Sequence, residues 1–149
     1  MTSGRSPLDI MPVADGDIDA LIALWTRCDL VRPWNDPESD IALARQYMNS
    51  EILIGRQGDK IVASVQVGHD GHRGWLYYLA VEPVLHKSGY GRIMIGAAEE
   101  WLRDRGIPKV QLMVRADNTG VRSFYEKIGY AMAERVNYAR WLDGREPTP

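Results

Sequence analysis

A chain of 149 residues suits one domain, and at 45% hydrophobic and 26% charged it belongs with folded globular proteins rather than disordered ones. The net charge of −2, with no Lys/Arg stripe, argues against nucleic acid as a partner, and no window approaches the ~20 apolar residues of a membrane span. A single cysteine, Cys28, excludes a disulfide framework and a sulfur-rich metal site; with no apolar stretch in residues 1–9 to act as a secretory signal, a reducing cytoplasm is expected.

Residues 1–7 and 143–149 read as loose termini of a single domain, 1–149. A short strand is expected near 8–13. Asp15-Gly16-Asp17 is a helix-entry signal, because a short acidic side chain can accept the free amides of a first turn. Ile18, Leu21, Ile22, Leu24 and Trp25 then share one face of an amphipathic helix over 18–28. A rigid Pro-flanked loop at 32–37 precedes a weaker helix over 40–49. Two strands, 51–56 and 61–67, flank Gln57-Gly58-Asp59-Lys60 at hairpin spacing. An aromatic-rich strand spans 75–81 and stops at Glu82-Pro83.

The longest helix is expected over 91–105, ended by Gly106, with Pro108 preventing a restart. A strand at 109–114, a helix at 118–128 ended by Gly129, and two closing strands within 130–142 complete the chain. The order is β-α-α-β-β-β-α-β-α-β-β. Its strand–helix–strand centre demands a parallel pair and its hairpins demand antiparallel ones. The fold class is therefore α/β (α+β): a mixed, mostly antiparallel sheet of six to seven strands with helices on both faces.

Chemistry shows first where a strand runs through Leu79 and Val81 into Glu82-Pro83-Val84-Leu85-His86-Lys87-Ser88-Gly89-Tyr90-Gly91-Arg92 and a long helix. Amides at a helix N-terminus have no internal partners and carry the positive end of the helix dipole. Glycines let such backbone approach a ligand closely, which makes an anion cradle suited to a pyrophosphate, with Lys87 and Arg92 adding charge. A dinucleotide loop would want glycine where Met94 stands, and a phosphate-binding Gly-Lys-Ser/Thr is absent.

Leu-x-Val-x-Pro followed by Gly89-x-Gly91, and then Asn118-Thr119-Gly120-Val121-Arg122-Ser123-Phe124-Tyr125-Glu126-Lys127-Ile128-Gly129-Tyr130, resemble the two hallmarks of the GNAT N-acetyltransferase superfamily. The element order is similar along nearly the whole chain, and residues 28–37 resemble a small bacterial, YpeA-type branch. The resemblance implies acetyl-CoA as cosubstrate, bound by Leu79, Val81, His86, Lys87, Ser88, Gly89, Tyr90, Gly91, Arg92, Asn118 and Tyr125. It implies direct transfer to a primary amine of a small molecule or protein, with Tyr125 protonating the departing thiolate and a backbone amide near the end of the 75–81 strand stabilising the oxyanion. His86 departs from the family's usual Gln or Arg; cofactor binding would weaken as pH rises if the ring must be protonated to help.

An amine nucleophile must lose a proton, so a base is needed. Glu82 resembles the position where some members carry a catalytic glutamate; Asp36, Glu38 and water are alternatives. His69 and His72 are two potential ligands without a third, so no metal is expected. Cys28 reads as packing, and Trp34 either lines an acceptor pocket or anchors its loop. The rival reading is a non-catalytic acyl-CoA-binding sensor of the same fold; a homodimer and the acceptor's identity are left open.

Overall fold

The computed structural model describes residues 8–147, so of the termini expected to be loose, 1–7 and 143–149, residues 1–7 and 148–149 lie outside the described residues. Two compact units are present, Met1–Leu112 and Met113–Pro149. In the first, β1 (Asp9–Pro12), α1 (Ile18–Arg27), α2 (Pro37–Gln46), β2 (Ser50–Gln57), β3 (Lys60–His69), β4 (Gly74–Val81), α3 (Tyr90–Arg103) and β5 (Val110–Gln111) follow in order. All five strands form one sheet in the order β1-β2-β3-β4-β5. Every pair is antiparallel except β4–β5, which is parallel and joined through α3, as a crossover requires.

Pleat alternation decides which helix covers which face. Ile52 and Ile54 of β2 join Leu21, Leu24 and Trp25 of α1 and Ile41 and Ala44 of α2 in one buried cluster. Each of the fully buried α1 side chains contributes roughly 1.5–3 kcal/mol by leaving water. Gly55, one residue out of phase with Ile54, faces the other way: a Cβ there would sit 3.1 Å from Met94 Sδ of α3 and 3.2 Å from Leu8 Cδ1. Helices thus cover both faces, as expected.

One helix start and one helix cap differ from the sequence expectation, while α1 begins at Ile18 as expected. Helix α2 begins at Pro37, three residues early, because Asp36 Oδ1 accepts the Glu38 amide at 3.1 Å and Pro37 at the first position needs no acceptor for an N–H it lacks. Asp17 does not cap α1; its Oδ2 accepts the Ala14 amide at 3.0 Å, and Arg56 pairs with its other oxygen.

The second unit holds α4 (Thr119–Lys127), capped by Asn118 Oδ1 on the Val121 amide at 3.2 Å and ended at Gly129 with φ +103°. The two closing strands expected within 130–142 do not form among the described residues, and the sheet has five strands rather than six or seven. A strand exists only through a ladder, and among the described residues no ladder includes 130–142; Tyr138 and Leu142 remain 91% and 95% exposed. The 109–114 strand likewise shrinks to the two residues that pair with β4.

Candidate active site

The site is built around an irregularity in β4. Gln66 stands opposite Tyr77 and Ser64 opposite Ala80, so β4 carries one extra residue, and Tyr78 takes φ +53°. A left-handed tyrosine costs about 1–2 kcal/mol, and its neighbours hold it there. Its ring stacks on Trp25 at 3.8 Å and 6°, its hydroxyl donates to Asp40 Oδ2 at 2.7 Å, and its carbonyl accepts from Ser64 Oγ at 2.9 Å. Ser64 Oγ in turn accepts Trp25 Nε1 at 2.9 Å, so the whole group is cross-braced.

Beyond the bulge, the Glu82 amide donates to Val62 O at 2.8 Å on the β3 side. Alternation therefore turns the polar backbone groups of Leu79 and Val81 to the opposite edge. Among the described residues of the first unit no strand pairs with that edge, since β5 meets β4 only at Gly74 and Trp75. The Val81 carbonyl accepts from His86 Nε2 at 2.9 Å and Cys28 Sγ at 3.3 Å, while the amides of Leu79 and Val81 stay available for a ligand lying along the edge.

A 3₁₀ turn, Pro83–Leu85, leads to the glycine loop. Lys87 at φ +68° and Gly89 at φ +88° both take left-handed backbone in this loop, the kind of turn from which anion-binding nests are made. Among the described residues, the amides of Lys87, Gly89, Gly91 and Arg92 donate to no protein acceptor, and that of Tyr90 reaches only Ser88 Oγ at 3.4 Å. Lys87 and Arg92 are exposed and have no acidic partner among the described residues. The Tyr90 ring is instead buried, its hydroxyl accepting from the Gln57 side chain, so only its backbone faces the loop. These free donors at the start of a fourteen-residue helix suit a diphosphate.

Glu82 is 7% exposed and held by Arg27 through Nε–Oε1 at 2.9 Å and Nη2–Oε2 at 2.6 Å. The Arg27 hydrogen bonds hold its carboxyl below the usual glutamate range, against the opposing effect of burial. Asp36 is likewise lowered, by Ser39 Oγ at 2.8 Å and the cap, so neither carboxylate is a strong proton acceptor. Burial pushes the Cys28 thiol up, which suits packing. His69 Nδ1 accepts the Gly71 amide at 3.1 Å.

In the second unit Tyr125 is 8% exposed, with Phe124 and Tyr130 edge-on at 5.0 and 5.6 Å. Burial pushes its hydroxyl up to about 12, so it is protonated at neutral pH. Asn118 is committed to capping α4.

Sequence reasoning missed a cavity of about 550 Å³ on the first unit, lined by Asp40, Tyr47, Asn49, Gln66, Tyr77 and Tyr78 among others. Trp34 does not line it. The contacts that build it, such as Tyr78 with Asp40, join residues 38 positions apart and leave no local pattern. The Arg27–Glu82 pair is equally silent in sequence.

Residues 18–130 match the model of the Acetyltransferase (GNAT) family. An acetyltransferase of Sodalis glossinidius is 42% identical over 129 residues, 87% of this chain and 91% of that protein. One of Pectobacterium atrosepticum is 41% identical over 140 residues, covering 93% and 99%. Among solved structures, AAC(6')-Iy in complex with the bisubstrate analogue CoA-S-monomethyl-acetylneamine superimposes with a TM-score of 0.77 at 18% identity, covering 91% of this chain and 99% of that one. The ribosomal-protein-S18-alanine N-acetyltransferase of Escherichia coli gives 0.73 at 24% identity, covering 93% and 87%.

Proposed function

This chain belongs to the acetyltransferase (GNAT) family, and we propose that it moves the acetyl group of acetyl-CoA directly onto the nitrogen of a primary amine. The observation that carries the reading is the run of unpartnered amides at Lys87, Gly89, Gly91 and Arg92, following directly on the open edge of β4. Those amides would take the CoA pyrophosphate, with Lys87 and Arg92 adding charge, and the pantetheine arm would lie along Leu79 and Val81 like an added strand.

In the reaction a neutral amine attacks the thioester carbonyl, a C–N bond forms, and the C–S bond breaks. A backbone amide of the Leu79–Val81 edge would stabilise the oxyanion. With Glu82 held by Arg27 and Asp36 by Ser39 and the helix cap, the amine's proton goes to Glu38 or to water. By the resemblance of the Asn118–Tyr130 segment, Tyr125 is the residue proposed to supply the thiolate's proton, regaining its own from solvent. A phenol near 12 against a thiol near 8.5 makes that transfer about 5 kcal/mol uphill, so it must run together with C–S cleavage. Thiol release from acetyl-CoA over a broad amine panel, with product mass, tests the reading. Acetyl-CoA that binds but is never consumed with any amine would sink it.

A further inference from the structure

We infer that the cavity beside Tyr78 selects an aliphatic di- or polyamine, holding one nitrogen as an ammonium on Asp40 while another is acetylated. This rests on the acetyl-transfer reading above. Asp40 is the only charged residue among the described residues that line the cavity. Its Oδ2 takes the Tyr78 hydroxyl, and its Oδ1 has no partner among the described residues. Gln66 Oε1 is buried without a donor among the described residues, so an N–H that reaches it is favoured. Tyr47 and Tyr77, 57% and 45% exposed, offer ring faces that attract a cation. Among the described residues no Lys, Arg or His lines the cavity to receive a carboxylate, and Asp40 would repel one.

A carboxylate keeps a neighbouring ammonium protonated and so useless as a nucleophile. The nitrogen on Asp40 is therefore not the one that reacts, and the acceptor needs a second. The bond-forming edge is close enough for that. Leu79 and Val81 lie one and three residues past Tyr78 on β4, about 3–10 Å at a strand's rise. Two nitrogens separated by four or five extended methylenes stand about 6–8 Å apart. The volume of about 550 Å³ lies inside the range of small-molecule sites.

Three matched acceptors separate the determinants: cadaverine, lysine (the same chain with a carboxylate) and pentylamine (the same chain without the second nitrogen). Steady-state thiol release and calorimetric binding are measured for each on the full chain. Cadaverine should exceed both others at least tenfold in kcat/KM, mostly through KM. In Asp40→Asn its advantage over pentylamine should collapse to within about threefold. If that variant fails to fold, Gln66→Leu replaces it and should weaken cadaverine binding at least threefold. Equal use of lysine or pentylamine, or preference for a peptide N-terminus, overturns the inference and leaves acetyl transfer standing. Cadaverine that binds selectively but is never acetylated overturns the transfer reading and leaves the cavity's selectivity standing.

Discussion

Replacing Glu82 with Gln separates anchoring from proton abstraction. The parent carboxylate receives three hydrogen bonds from Arg27, at 2.6, 2.9 and 3.2 Å. Glutamine keeps the shape but loses the charge and offers one acceptor oxygen. The Arg27 side chain is 42% exposed, so water rehydrates much of its orphaned charge. The loss should be about 1–2 kcal/mol rather than the 3–5 of a fully buried pair, or about 2–8 °C in Tm for a chain of this size. A carboxyl held below its ordinary value stabilises the fold fully above about pH 4.3, and the contribution fades as pH falls through the folded pKa. The Tm gap between parent and variant should thus be level from about pH 6 to 8 and close in acid. Turnover at neutral pH should stay within about threefold, with a raised KM for acetyl-CoA, because Glu82 anchors the strand end that opens the glycine loop. A fall of 10²–10⁴ in kcat with an unchanged Tm would refute this and make Glu82 the base.

Tyr125→Phe should lower kcat at least about tenfold while changing acetyl-CoA affinity by less than about tenfold, read by steady-state kinetics and calorimetry. Its raised folded pKa, about 12 against an ordinary ~10, also means that the hydroxyl's contribution to stability is whole below pH 10 and fades towards 12; alkaline melting curves should lose that step in the variant. Gly74→Ala places a methyl carbon 2.5 Å from Leu102 Cδ1, whose side chain is buried, and should cost about 1–3 kcal/mol in urea unfolding. Leu102→Val in the same background should recover part of that cost, and strict additivity would show that the clash is relieved elsewhere.

Those parts of the fold specified by neighbouring residues were legible in the sequence. The α1 face, the Gly58 turn, the Gly106 and Gly129 helix stops and the glycine loop before α3 each rest on a few consecutive positions. The closing strands were not legible, because alternation at 130–142 signals strand propensity but says nothing about whether a partner edge is present. Tyr78 gave no warning of its left-handed backbone, which its contacts with Trp25, Asp40 and Ser64 impose from distant positions. For the same reason the sequence offered Glu82 as a base without revealing Arg27, and offered no acceptor cavity.

The amides ahead of α3 are proposed to hold the CoA pyrophosphate, and calorimetric titration of acetyl-CoA into the parent and into Gly91→Asp probes that contact itself. Gly91 lies in the first turn of α3, and an aspartate there sets a negative side chain among the free amides. The parent should show saturable one-to-one binding, and the variant should bind at least about a hundredfold more weakly, with an unchanged melting temperature without ligand. Equal affinity in the two proteins would contradict it and place the cofactor elsewhere.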